Sequence, residues 1–168
     1  MNKTIIVIIF IVMGIGGLMW WGKSAQRPAT SSSTKIDTGA KNALIASETL
    51  YDFGTISMKN GNVTKEFIVT NPTDKDIVIP SLVTSCMCTK AFIVEPDGTT
   101  KGPFGMPGMG SVPPADEIIK VGENRIIKVV YDPNAHGPAG VGQINRFISL
   151  TDLSGNTLKL EIKALVTP

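Results

Sequence analysis

Cysteine and histidine are scarce in this chain: its 168 residues include only Cys86, Cys88 and His136 of those two types. A single histidine among scattered serines and aspartates does not identify a hydrolase triad, which is recognised by geometry rather than by residue content. Three Cys and His residues also fall short of the four donors of a structural zinc site, so a carboxylate or water would have to complete one. A thiol–disulfide oxidoreductase would more naturally show C-x-x-C at a helix N-terminus, and no such helix signal is present. Both tryptophans, Trp20 and Trp21, stand near the start of the chain, so the core tryptophan of antibody domains is missing. Charge of one sign is not concentrated anywhere: 16 basic residues face 14 acidic ones without a long run, which excludes an electrostatic grip on nucleic acid. Glycine-rich Gly105–Gly110 lacks the strand-loop-helix setting of a dinucleotide fingerprint. No catalytic residue is identified, and an enzyme is not expected.

What the sequence does have begins with a long apolar run. From Thr4 to Gly22 there is no charged residue. As a helix these residues would extend about 28 Å at roughly 1.5 Å each, close to the hydrocarbon thickness of a bilayer, with Trp20 and Trp21 at the interface. A cleaved signal peptide is the competing reading, with Lys3 as its basic n-region, but Lys23 disfavours a small-x-small cleavage site at Ser24 and Ala25. Residues 1–22 are therefore expected to form one transmembrane helix with the body outside the cytoplasm, in the cell membrane as a single-pass anchor. Residues 23–41, rich in Ser, Thr, Ala and Gly without apolar periodicity, read as a flexible linker.

The body, residues 42–168, consists of short alternating or β-branched runs separated by turn residues, which predicts an all-β domain. Strands are expected over Ala43–Leu50, Asn62–Thr70, Asp76–Ile79, Leu82–Cys88, Ala91–Glu95, Glu117–Val121, Arg125–Tyr131, Gln143–Thr151 and Thr157–Val166. Lys59-Asn60-Gly61-Asn62 and Ser154-Gly155-Asn156 read as hairpin turns, and Asn71-Pro72-Thr73-Asp74 as the start of a loop. About 7 to 9 such strands suggest an immunoglobulin-like β-sandwich, without the distant cysteine pair of antibodies. Residues 96–114 carry glycine or proline at ten of nineteen positions and are expected to be a long loop.

The order of short motifs, Tyr51-Asp52-Phe53-Gly54-Thr55-Ile56, Phe67 with Asn71, Ser85-Cys86-Met87-Cys88-Thr89, Val121-Gly122-Glu123 and Tyr131-Asp132-Pro133, resembles a bacterial family of unknown function numbered fifteen seventy-three. The resemblance implies a secreted or membrane-tethered Ig-like domain akin to Hydin-type and major-sperm-protein-type sandwiches. It implies no catalytic residues. Met87 departs from the family, where glycine is common.

On one extended strand, Cys86 and Cys88 would face the same way with Cα atoms about 6.6 Å apart, since each residue advances roughly 3.3 Å. A disulfide prefers Cβ atoms near 3.8 Å, so an internal disulfide is disfavoured there. Two readings stay open. The cysteines are small core residues, or they are half of a soft-metal site for Cu(I) completed by Met106, Met109 and His136, a donor set of matching softness. The leading functional expectation is a membrane-anchored, extracytoplasmic binding or scaffolding module for an unknown envelope protein. The alternative is a copper-binding or copper-delivery protein.

Overall fold

A computed structural model describes residues 43–168. The anchor expected over 1–22 and the linker over 23–41 lie outside the described residues. Among the described residues no helix is long and apolar enough to cross a membrane.

Eleven strands follow one another: β1 Ile45–Ala46, β2 Leu50–Ser57, β3 Val63–Thr70, β4 Ile77–Ile79, β5 Ser81–Thr84, β6 Thr89–Val94, β7 Thr100–Phe104, β8 Glu117–Ile119, β9 Asn124–Tyr131, β10 Gly142–Thr151 and β11 Thr157–Thr167. They build two main sheets, one ordered β1-β3-β9-β6-β7 and the other β2-β11-β10-β5, with a short β4-β8 ribbon. The result is the all-β sandwich expected of the alternation. On β3, Phe67 and Val69 are fully buried while Glu66 and Ile68 face solvent. On β11, Leu158, Leu160, Ile162, Ala164 and Val166 form the buried series. Each large side chain buried this way contributes about 1.5–3 kcal/mol. Two arginines interrupt the inward-facing series: Arg125 precedes Ile127, Val129 and Tyr131 on β9, and Arg146 stands between Ile144 and Ile148 on β10.

Several boundaries differ from expectation, each for a physical reason. Of Ala43–Leu50 only Ile45–Ala46 is a separate strand, and Leu50 opens β2, which carries the Tyr51–Ile56 motif. Strand β2 runs parallel to β11. Its register slips between Asp52 and Thr55, where Gly54 takes a φ of 66°; the bulge breaks the period of two that would have marked the strand. The long loop expected over 96–114 contains β7, paired with β6 despite Gly102 and Pro103. Such residues are tolerated because β7 lies at a sheet edge, where a missing N–H leaves no ladder bond unmade. At Lys59-Asn60-Gly61-Asn62 the chain does not form a hairpin. It makes a 3-10 turn over Met58–Asn60 and crosses from one sheet to the other. The hairpin at Ser154-Gly155-Asn156 does form between β10 and β11, with Asp152 Oδ1 accepting the backbone N–H groups of Ser154 and Asn156. At the Asn71 loop, the buried amide Nδ2 donates to the carbonyls of Lys75 and Ile119, and Oδ1 accepts from the Thr73 N–H and hydroxyl.

Candidate functional site

Strand β5 ends at Thr84, four residues earlier than its expected limit, because the chain turns there to pass from one sheet to the other. The Thr89 N–H donates to the Cys86 carbonyl at 3.1 Å, which makes Cys86-Met87-Cys88-Thr89 a β-turn. Thr84 reinforces the turn from below. Its buried hydroxyl shares one hydrogen between the carbonyls of Cys86, at 3.1 Å, and Thr89, at 3.0 Å. Ser85 ties the turn to β10 by exchanging bonds with Phe147, its N–H to the Phe147 carbonyl and its Oγ accepting the Phe147 N–H, both at 2.9 Å.

This turn corrects the expectation about the cysteines. They do not sit on an extended strand, their Cα atoms are 5.3 Å apart, and they form a disulfide. Turning at Met87 supplies the bend that a flat strand withholds, and 5.3 Å falls within the usual Cα separation for a disulfide. The two sulfurs differ in access: Cys88 is 2% exposed and belongs to the core, whereas Cys86 is only half-buried. Met87 between them points outward.

Two side chains from other elements reach the sulfurs. His136 follows β9 in the turn before the short 3-10 segment Gly137–Gly140, and its Nε2 lies 3.2 Å from Cys86 Sγ. That turn is held against the cysteines by the Asp132 N–H, which donates to the Cys88 carbonyl at 2.9 Å. From the inward face of β10, Arg146 Nε donates to Cys88 Sγ at 3.1 Å and its Nη1 donates to the Asn145 carbonyl at 2.9 Å. Among the described residues Arg146 has no carboxylate within ion-pair distance. Beneath the site Tyr131 is almost fully buried; burial raises its phenol pKa, with Asp132 adding to the rise and the Arg146 charge opposing it.

Of the five residues expected to hold Cu(I), the fold brings together Cys86, Cys88 and His136, whose ligand atoms lie within 4.8 Å of one another. Met106 and Met109 stand on another turn, after β7, closed by the Met109 N–H on the Met106 carbonyl. The disulfide removes both thiolates that a Cu(I) site requires, so the copper reading is not supported in this state of the protein. Sequence reasoning passed over Arg146. Its signal was present, a charged residue at an inward position of an otherwise apolar series.

In a second cluster, at the opposite end of β9, Arg125 Nε donates to Glu117 Oε1 at 2.7 Å and its Nη1 to Glu123 Oε2 at 3.1 Å, while Lys101 Nζ lies 2.8 Å from Glu95. Burial raises the Glu95 pKa, but bonds to Lys101 and Glu117 and the charges of Lys101 and Arg125 outweigh it and hold the carboxyl below its usual value. Each charge in this cluster faces one of opposite sign, and the cluster serves the fold.

Known structures share the fold at low identity. A protein of unknown function from Porphyromonas gingivalis W83 matches at 15% identity with a TM-score of 0.53, over 79% of this chain and 51% of its own, so this chain spans about half of that protein's length. A family 123 glycoside hydrolase from Clostridium perfringens matches at 7% identity with a TM-score of 0.50, over 70% of this chain and 22% of its own. No curated protein matches the chain. Residues 44–100, a stretch that holds Cys86 and Cys88, match the family described as Protein of unknown function (DUF1573).

Proposed function

We propose that this chain is a membrane-anchored binding module of the cell envelope, with residues 1–22 as the anchor, 23–41 as the tether and the sandwich outside the cytoplasm. The observation that carries the binding role is β2: eight residues long, at the edge of its sheet, with β11 as its only neighbour among the described residues. An unpaired edge offers its remaining N–H and C=O groups to an extended peptide, which would add a strand there. Beside it, on the same sheet, lies an open cleft of about 400 Å³ lined by Asp52, Thr55, Gln143, Asn145, Lys163 and Leu165. The cleft offers the acidic Asp52, the basic Lys163 and the apolar Leu165 to the residues of an added strand. The uncharged run from Thr4 to Gly22 supports the anchor, from which a tether rich in serine and threonine would let the edge reach envelope proteins. The test is photocrosslinking in cells of the full chain carrying a benzophenone amino acid at Thr55. A discrete adduct in the membrane fraction, lost when the benzophenone stays at Thr55 and Asp52 on the same strand is replaced by proline, is the expected result. Adduct-free chain in that fraction would reject the edge, and chain recovered from the soluble fraction would reject the anchor.

A further inference from the structure

The Cys86–Cys88 disulfide closes a loop containing a single intervening residue, and the chain-entropy contribution of a disulfide grows with loop length. A bridge this short is a poor staple for a sandwich whose core is otherwise continuous. It is nonetheless provided with unlike surroundings at its two sulfurs: solvent access and His136 at Cys86, burial and the Arg146 guanidinium at Cys88. A guanidinium on an inward-facing position is normally paired with a carboxylate, as Arg125 is in this same fold. Arg146 instead donates to a disulfide sulfur, a weak acceptor, and to one backbone carbonyl.

We propose that Cys86–Cys88 is a thiol–disulfide exchange centre that accepts two electrons from a dithiol, in the cell from a cysteine pair of a partner protein, with Cys86 as the attacked sulfur and Cys88 as the leaving thiolate. This inference stands on the geometry of the turn and is independent of the edge-strand reading. In the first step a thiolate of the dithiol, its proton released to solvent, attacks Cys86 Sγ, the half-buried and more accessible of the two sulfurs. A new S–S bond forms to Cys86, the Cys86–Cys88 bond breaks, and its electron pair remains on Cys88 Sγ, facing the Arg146 Nε–H. In the second step the dithiol's other sulfur attacks the first, forming the partner's S–S bond and breaking the mixed S–S bond to Cys86, whose sulfur keeps that electron pair and takes the attacking thiol's proton, with His136 Nε2 positioned to relay it. The partner leaves as a disulfide. Cys86 is then a thiol and Cys88 a thiolate: the partner is oxidised by two electrons, the chain is reduced by two, and of the dithiol's two protons one is on Cys86 and one is in solvent. Exchange favours a leaving thiolate that its surroundings stabilise, which is the role Arg146 fills.

The test is to equilibrate the full chain, purified in mild detergent, against mixtures of reduced and oxidised dithiothreitol or glutathione, and to read the thiols by alkylation and mass. The expected result is reversible reduction across these mixtures. Arg146→Met is expected to lower the equilibrium constant for reduction about tenfold, which is about 30 mV for a two-electron couple. A bridge that stays oxidised in excess glutathione, or an equilibrium that Arg146→Met leaves unmoved, would overturn the proposal. A second pair of variants keeps the test decisive if Arg146→Met does not fold. Cys88→Ser, which leaves the accessible thiol, is expected to form a mixed disulfide with Ellman's reagent at least about tenfold faster than Cys86→Ser, which leaves the buried one. Equal rates would reject the assignment of the attacked sulfur.

Discussion

The two ends of the sandwich each place an arginine on the inward face of a central strand, and they use it in opposite ways. At the Asn124 end of β9, Arg125 is surrounded by the carboxylates of Glu95, Glu117 and Glu123, with Lys101 on the far side of Glu95 and Glu117. At the Tyr131 end, Arg146 meets a sulfur and a carbonyl and has no carboxylate within ion-pair distance among the described residues. A buried charge that is compensated in every state of the protein is structural. A charge whose counterpart would form only when a neighbouring bond opens is suited to chemistry, because the stabilisation it supplies differs between the two states.

The largest expected effect is at the charged end. Arg125→Met takes one of its two cations from Glu117, 2% exposed, leaving Lys101 alone, and breaking a buried pair on one side costs about 3–5 kcal/mol. Arg146→Met in the oxidised protein removes no ion pair and should cost no more than about 1 kcal/mol. Urea unfolding of both variants checks the contrast, and similar losses would break it. Next is Asn71→Ala: the side chain is fully buried and satisfies two carbonyls and two donors of the loop after β3, so its removal should cost about 2–3 kcal/mol by the same measurement.

The pH dependence of stability separates the ends in sign. Glu95 is held below its ordinary value of 4.5, so the folded state binds its proton less readily than the unfolded state does. Its contribution is present above about pH 4.5 and lost as the pH falls through the lower folded value. Glu95→Gln should therefore flatten the acid side of the stability curve. Tyr131 is shifted the other way, upward from 10.0, chiefly by burial. Its contribution is present below pH 10 and lost as the pH rises through the folded value, and Tyr131→Phe should remove that share of the alkaline decline. Lys101, raised by its bond to Glu117, adds to the alkaline decline from the charged end, so the acid side is the cleaner discriminator.

Much of this contrast could be read in the sequence, and the unreadable part has a definite cause. The alternation on β3, β9 and β11 located the core, and Asn71 does begin a loop, where its backbone bonds those of Gly122 and Glu123. The Cys-Met-Cys spacing drew attention to Cys86 and Cys88 with His136, whose ligand atoms do lie within 4.8 Å of one another, while Met106 and Met109 stand on another turn. Two things were hidden. Period-two reasoning treats a strand as continuing until a breaker appears, and Met87 is not one, so the β-turn that joins the sulfurs was invisible. Arg146 lies fifty-eight residues from Cys88 in the chain and reaches it through the register of β10 against β5, which no local pattern encodes.

The smallest predicted effect tests the contrast most directly. Closing a loop of one intervening residue removes little entropy from the unfolded chain, so reducing Cys86–Cys88 in the wild-type chain should lower stability by only about 1.5 kcal/mol. Arg146→Met then closes a thermodynamic cycle. If the unfolded chain is reduced equally readily with or without Arg146, the tenfold fall in the reduction constant must reappear as extra instability of the reduced variant. Arg146→Met should thus cost about 1.4 kcal/mol more in the reduced protein than in the oxidised one. Urea unfolding with and without reductant measures all four corners. A coupling of zero would mean that Arg146 is as indifferent to the state of Cys88 as Arg125 is, and the two ends would differ in composition alone.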